Sequence, residues 1–313
     1  MMTQDRSSLC GVLSPVLTPF DAALNPDPQR LVQHCRWLLS NDVGLALFGT
    51  NSEANSLSLA ERISLLEAVV EAGLPASRMM PGTATCNLPE TIEITRHAVS
   101  AGVAGVLMLP PFYYKGVSDD GLFDYFSRVV DGVADDRLRV YLYHIPPVAQ
   151  VPISLGLIER LLKAYPAQIK GIKDSSGDWN NTLAMIQAFA ADGFEVFAGS
   201  EPFLLQCMQA GGAGCISATA NVNPAAIAAL YDHWRDGDAQ ARQDALTATR
   251  GIFANFVMIP AMKAAVSHYA GAPDWLRVRP PLVTMDEAGT KVLTAALDTA
   301  GFRMPGLEEM LNA

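Results

Sequence analysis

The chain has 313 residues, 50% of them hydrophobic and 17% charged, with 22 basic against 32 acidic side chains and a formal net charge of −10. This composition excludes collagen, coiled coil and disorder, each of which needs a stronger bias. It also disfavours a nucleic-acid partner, because phosphate binding needs clustered Lys and Arg and no basic run occurs.

The five cysteines (Cys10, Cys35, Cys86, Cys207 and Cys215) are odd in number, widely spaced and mostly in apolar surroundings. They read as reduced core thiols, with neither C-x-x-C nor zinc spacing. The stretch from Met1 to Leu9 is polar, and no apolar run approaches the roughly 18 residues of a membrane span. The expectation is a soluble cytoplasmic protein that meets small molecules, with no membrane partner.

Short runs rich in Val, Ile and Leu alternate eight times with stretches of helical period. The predicted strands are 12–17, 44–48, 78–82, 105–109, 139–144, 169–173, 195–198 and 214–217. Helices are predicted to start after them near Gln29, Leu59, Pro89, Asp119, Leu155, Asn180, Pro202 and Pro224. Ser58 and Glu61 form a capping box, Ser118 precedes two aspartates, and Asn223 precedes a proline at the first helical position. Gly73, Gly102, Gly193, Gly211 and Gly237 stand where helices must hand over to the next element.

Apolar, non-alternating strands imply parallel strands covered on both faces, so residues 1–237 read as an α/β fold of the (β/α)8 TIM-barrel type. A doubly wound open sheet is the alternative, but neither G-x-G-x-x-G nor a P-loop follows the first strand. Beyond Gly237 the pattern is helical only, at 238–256, 262–269, 285–300 and 307–311, with Pro260, Pro273, Pro280 and Pro281 as breaks. Residues 238–313 read as a C-terminal helical extension packed on the barrel.

Active sites of such barrels sit at the carboxyl ends of the strands. Four positions there carry chemistry: Thr50 in Gly49-Thr50-Asn51-Ser52-Glu53, Tyr113 or Tyr114 after the fourth strand, Tyr143 ending the fifth, and Lys173 ending the sixth. Strand alternation puts Ile169, Gly171 and Lys173 on one face, with Gly171 leaving space beside the lysine. An apolar mouth disfavours the charged form of an amine and frees its lone pair for attack on a carbonyl. The competing reading is a solvated lysine paired with Asp174. Tyr143 is suited to relay a proton, against the competing reading of a core tyrosine. An isolated His144 reads as a hydrogen-bonded structural group, and no metal site is expected. The turn at Gly49, Thr50, Asn51 and Ser52 offers hydroxyls and N–H groups of the kind that hold a carboxylate.

Six segments in order, Gly49-Thr50-x-x-Glu53, Pro111-Phe-Tyr-Tyr114, Leu142-Tyr143-x-Ile-Pro146, Gly171-Ile-Lys173-Asp174, Gly211-Gly-x-Gly-x-Ile-Ser217 and Val278-Arg-Pro-Pro281, carry a resemblance over essentially the whole chain. It resembles the dihydrodipicolinate synthase and N-acetylneuraminate lyase family of Schiff-base, pyruvate-handling lyases. The resemblance implies that Lys173 forms an imine with a 2-oxoacid, that Tyr143 shuttles protons, and that Thr50 and its neighbours orient the carboxylate. It further implies that Tyr114, rather than Tyr113, reaches a neighbouring subunit's site in a homotetramer built as a dimer of dimers, with no metal or organic cofactor. Substrate contacts are expected at Gly49, Asn51, Ser52, Ser175, Gly199, Glu201 and Ile216, with the rim around Ser175, Glu201, Ala218 and 143–150 reading the second substrate.

Two departures bear on substrate. The synthase branch carries an arginine for the aldehyde's carboxylate where this chain has Val148, and its Thr-Gly after the turn threonine is replaced by Asn51-Ser52. The Pro-Phe-Tyr-Tyr loop is closer to the lyase branch. The expected activity is aldol cleavage or dehydration of a 2-keto-3-deoxy sugar acid or related hydroxy-oxoacid. The rivals are a true synthase using Lys115 or another arginine, and a non-catalytic oxoacid-binding member.

Overall fold

The alternating runs become strands and helices in a computed structural model, which describes residues 9–311. The polar stretch from Met1 onward therefore lies outside the described residues except for Leu9. The strands are β1 Gly11–Ser14, β2 Gly44–Leu45, β3 Val106–Met108, β4 Val140–His144, β5 Ile169–Asp174, β6 Glu195–Ala198 and β7 Gly214–Ile216. All pairings are parallel, in the order β2-β1-β7-β6-β5-β4-β3.

The predicted strand at 78–82 is present only as two parallel bridges, Leu45 to Met79 and Gly82 to Leu107. Pro81 has no N–H to donate, which interrupts the ladder there. Its carbonyl still accepts from the Leu107 N–H at 2.9 Å, and the Met80 N–H donates to the Leu45 carbonyl at 2.8 Å. This segment joins β2 to β3 and completes the (β/α)8 ring.

Around the ring run α1 Pro28–Ser40, α2 Leu59–Glu71, α3 Leu88–Ser100, α4 Asp119–Val133, the single turn α5 Pro146–Ala149, α6 Leu155–Ala164, α7 Trp179–Phe189, α8 Leu204–Ala210 and α9 Pro224–Asp232. The Ser58 and Glu61 capping box forms as expected, with Ser58 Oγ accepting from the Glu61 N–H at 3.2 Å and Glu61 accepting from the Ser58 N–H at 2.8 Å. Ser118 caps α4, and Gly73, Gly102, Gly193 and Gly211 all have positive φ. Gly237 does not; α9 ends earlier, at Asp232.

The extension consists of α10 Ala239–Ala254, α11 Met258–Tyr269, α12 Glu287–Thr299 and α13 Leu307–Leu311. Pro260 lies inside the first turn of α11 rather than breaking it, because the first helical N–H groups need no intrahelical acceptor. α13 packs on α1, and the Trp37 indole N–H of α1 donates to the Pro305 carbonyl at 2.9 Å. No single described helix is long and apolar enough to cross a membrane; α10 and α11 together reach the length but are bent by 106° between them.

Two apolar clusters carry the packing. One, including Leu45, Val106, Leu142, Ile172 and Cys215, lies between strands and helices. The other, with Leu13, Ala46, Met80, Leu107, Tyr141, Tyr143, Phe197 and Ile216, fills the barrel interior. A fully buried Leu contributes about 1.5–3 kcal/mol of transfer free energy, whereas exposed pairs such as Lys291 with Glu287 contribute little. The barrel therefore stands on its apolar clusters. Of the cysteines, Cys35, Cys207 and Cys215 are buried thiols as expected, but Cys10 and Cys86 are exposed.

Strand alternation fails at one place. Val140 pairs with Ile169 but Tyr141 with Gly171, so Lys170 is an extra residue in a bulge. Ile169 consequently joins the outer cluster and does not share a face with Gly171 and Lys173.

Candidate active site

Parallel pairing sets Tyr143 of β4 opposite Lys173 of β5. Both are nearly inaccessible, at 3% and 2% exposure. Lys173 Nζ lies 4.3 Å from the centroid of the Tyr143 ring, and the Tyr143 hydroxyl is 3.4 Å from Thr50 Oγ1. Burial pushes the phenol up, but the Lys173 ammonium and hydrogen bonds with Thr50, Lys173 and Ser175 outweigh it and hold the phenol below its ordinary value.

The solvated-lysine reading is excluded by this geometry. Asp174 turns the other way, accepting from the Ser176 N–H at 2.9 Å, Asn181 Nδ2 at 3.0 Å and Thr182 Oγ1 at 2.6 Å, and it fixes the loop that carries Ser175. The space beside Gly171 is taken by Tyr141 and not by Lys173: a Cβ there would stand 2.2 Å from the Glu195 carbonyl oxygen and 2.7 Å from the Tyr141 ring. His144 faces outward and accepts from the Ile153 N–H at 3.0 Å on Nδ1; burial lowers its pKa against the opposing pull of Asp174, which agrees with a structural imidazole.

Lys173, Tyr143, Thr50, Asn51, Ser175 and Gly199 line one cavity of about 350 Å³ at the carboxyl ends of the strands. Gly199 is dictated by close approach, since a Cβ would lie 2.1 Å from Ser175 Oγ. Gly49 borders an adjoining recess beside Thr50 and Tyr143. Ser52 is buried beneath the turn, its Oγ accepting from the Gly49 N–H at 3.1 Å and its carbonyl from Thr18 Oγ1 at 2.7 Å. Ile216 belongs to the barrel interior. Tyr113 and Tyr114 are away from this cavity, 74% and 72% exposed, with their rings edge to face. Among the described residues no group of three His, Cys, Asp or Glu side chains is placed to hold a metal.

Glu201 does not line the cavity. It is 1% exposed, and its carboxylate accepts from Ser217 Oγ and Thr219 Oγ1 and pairs with Arg250 Nη1 at 3.3 Å. Arg250 itself does line the cavity. Gln243 pins α10 to the loop after β6, donating to the Glu201 carbonyl at 2.9 Å and accepting from the Leu205 N–H at 2.9 Å. Seven residues on, about two helical turns, Arg250 reaches the mouth. Lys115 is committed elsewhere, to the carbonyls of Phe112 and Ala149. The apolar lining of the cavity is formed by Ile145, Pro147, Val148, Phe203, Ala218 and Met258. Arg250 and Met258 come from the extension, where no local motif marked them.

A buried lysine against a phenol at the carboxyl end of a parallel barrel stands where enzymes of this fold carry their active sites. Residues 8–300 match the Dihydrodipicolinate synthetase family, and the chain belongs to that family of lyases. It is 34% identical over 291 residues, 92% of this chain and 96% of the other, to an uncharacterized DapA-like lyase of Chloroflexus aurantiacus. The crystal structure of dihydrodipicolinate synthase from Agrobacterium tumefaciens matches it with a TM-score of 0.86 and 31% identity, covering 93% of this chain and 99% of that one. A prophage protein of the dihydrodipicolinic acid synthase family from E. coli, solved in complex with pyruvate, matches with a TM-score of 0.84 and 28% identity, covering 94% and 99%.

Proposed function

We propose that the protein is a lyase that binds a 2-oxoacid as an imine on Lys173 and cleaves or dehydrates a 2-keto-3-deoxy sugar acid or related hydroxy-oxoacid. The observation that carries this reading is Lys173 Nζ buried in the cavity against the Tyr143 ring, with the phenol within reach of Thr50. The neutral amine adds to the C2 carbonyl and, with one proton taken up from solvent, water leaves to give an iminium. Tyr143, as phenolate, takes the proton of the C4 hydroxyl; the C3–C4 bond breaks, its electron pair passes to the iminium as an enamine, and an aldehyde departs. Thr50 and the turn around it orient the carboxylate. No metal or organic cofactor enters this chemistry. The likeness to a relative solved with pyruvate supports a pyruvate moiety in the substrate. Incubation with pyruvate and borohydride followed by peptide mapping tests the reading: one reduced adduct on Lys173 is expected, and its absence from folded protein in excess pyruvate overturns it.

Besides Lys173, Arg250 is the cation that lines the cavity, and it favours a tail that is anionic or rich in hydroxyls. Arg250→Met is expected to raise KM for the full substrate about 10-fold or more, while the pyruvate concentration giving half-maximal adduct stays unchanged. An unchanged KM across a panel of 2-keto-3-deoxy acids removes Arg250 from substrate recognition. The same cation supports the second reading, condensation of pyruvate with aspartate semialdehyde, because it offers a carboxylate partner that Val148 does not. A coupled assay with those two substrates decides between them.

The exposed Tyr113 and Tyr114 pair supports assembly into a homotetramer in which Tyr114 enters a neighbouring protomer's cleft. Sedimentation velocity is expected to give four chains per particle, and Tyr114→Ser to shift the particle toward smaller species; a monomeric wild type overturns the assembly.

A further inference from the structure

The proposed mechanism uses Thr50 but leaves unexplained what holds the turn that carries it. Glu53 ends that turn with φ 56°, and Phe48 precedes it with φ 58°. Neither is glycine, and such left-handed residues persist only where their surroundings over-determine them. One restraint comes from the barrel, through the Thr18 hydroxyl on the Ser52 carbonyl. The other comes from the extension. Lys263 Nζ of α11 meets Glu53 Oε1 at 2.5 Å, and both side chains are fully buried. Lys263 also donates to the Arg277 carbonyl at 2.7 Å, and Glu53 Oε2 accepts from the Arg279 N–H at 2.9 Å. Arg279 is tied down in turn by both oxygens of Glu61 and by the carbonyls of Ser56 and Leu24. The Phe20 ring lies 4.5 Å from Lys263 Nζ and 5.0 Å from Arg279 Cζ, closing the site to water.

We propose that Lys263 is a positioning residue for catalysis: by clamping Glu53 it sets the Thr50 turn at the height at which the 2-oxoacid's carboxylate docks. The extension is then part of the machinery, supplying both the clamp and Arg250. Two fully buried opposite charges are an expensive way to hold a fold, since apolar replacements serve as well or better. What the pair provides that packing does not is a directional constraint on Glu53, three residues from the hydroxyl that meets Tyr143.

This inference rests on the imine reading, and the experiment separates the two. Borohydride trapping is titrated with pyruvate in the wild type, in the double variant Glu53→Gln with Lys263→Met, which removes both charges at nearly constant length, and in Glu53→Asp, which keeps the charge pair but withdraws the carboxylate by one methylene. Folding is followed by thermal transition. In folded variants the pyruvate concentration for half-maximal adduct is expected to rise about 10-fold or more, with the same final adduct per chain. If the double variant does not fold, Glu53→Asp carries the test. Half-saturation within a factor of about two of wild type in either folded variant overturns the proposal, as does failure of both to fold, which assigns the pair to stability alone. No adduct in the wild type overturns the imine chemistry instead.

Discussion

Lys173→Ala is expected to eliminate the borohydride-trapped pyruvate adduct and to lower turnover by about 10⁴-fold or more, the scale on which removing a covalent nucleophile acts. Among the described lysines only Lys173 lines the cavity. Lys170 lies in the bulge and donates to the Pro166 carbonyl at 3.3 Å, Lys115 is bound to loop carbonyls, and Lys263 is sealed against Glu53. The substitution shortens a side chain that faces a solvent-connected cavity, so its cost in stability is small beside its cost in rate. An adduct at another lysine, or turnover within about 10-fold of wild type, would falsify the assignment.

Tyr143→Phe is expected to lower turnover by about 10²–10⁴-fold, the range of a lost general acid or base. The phenylalanine keeps the ring that packs against Lys173 and the barrel interior, so the fold and the final yield of pyruvate adduct are retained. The pH dependence carries a second signature. Because the positive charge at Lys173 Nζ, carried by the iminium once the imine forms, and hydrogen bonds hold the phenol below its ordinary value of about 10, the phenolate fraction that acts as base rises with pH from below that value. In the wild type the rate should therefore climb on a limb centred below pH about 10, and that limb should be missing in the phenylalanine variant. Turnover close to wild type with the limb intact would move the proton relay to another group, for which Thr50 and Ser175, both hydrogen-bonded to the phenol, are the candidate hydroxyls.

The two variants separate two steps. Lys173→Ala stops the chemistry before any adduct, whereas Tyr143→Phe stops it after. Arg250→Met acts on neither and reads only at the tail, as expected for a group in the same cavity but brought from α10.

The periodic character of the chain determined most of the architecture, because a strand buried on both faces and an amphipathic helix each leave a local pattern. Helix starts at Leu59, Asp119, Leu155 and Pro224 fell where capping residues and prolines put them. Lys173, Tyr143 and Thr50 were legible for a related reason: a barrel brings the ends of its strands to one rim, so position in the repeat is position in the site. The exceptions have a common cause. Pro81 reduces a predicted strand to two bridges, and the Lys170 bulge reverses the face of Ile169, both through backbone hydrogen bonding that apolar periodicity does not record.

Tertiary structure alone decided how the rim is completed. Glu201, expected at the substrate, is withdrawn into hydroxyls of Ser217 and Thr219 and instead holds Arg250, 49 residues away. Glu53 meets Lys263 across 210 residues. Such pairs are set by how α10 and α11 dock on the barrel, and a contact between charges so far apart in sequence leaves no period or spacing to read. Local pattern specifies elements and their order; the partners of buried charges depend on which surfaces those elements finally share.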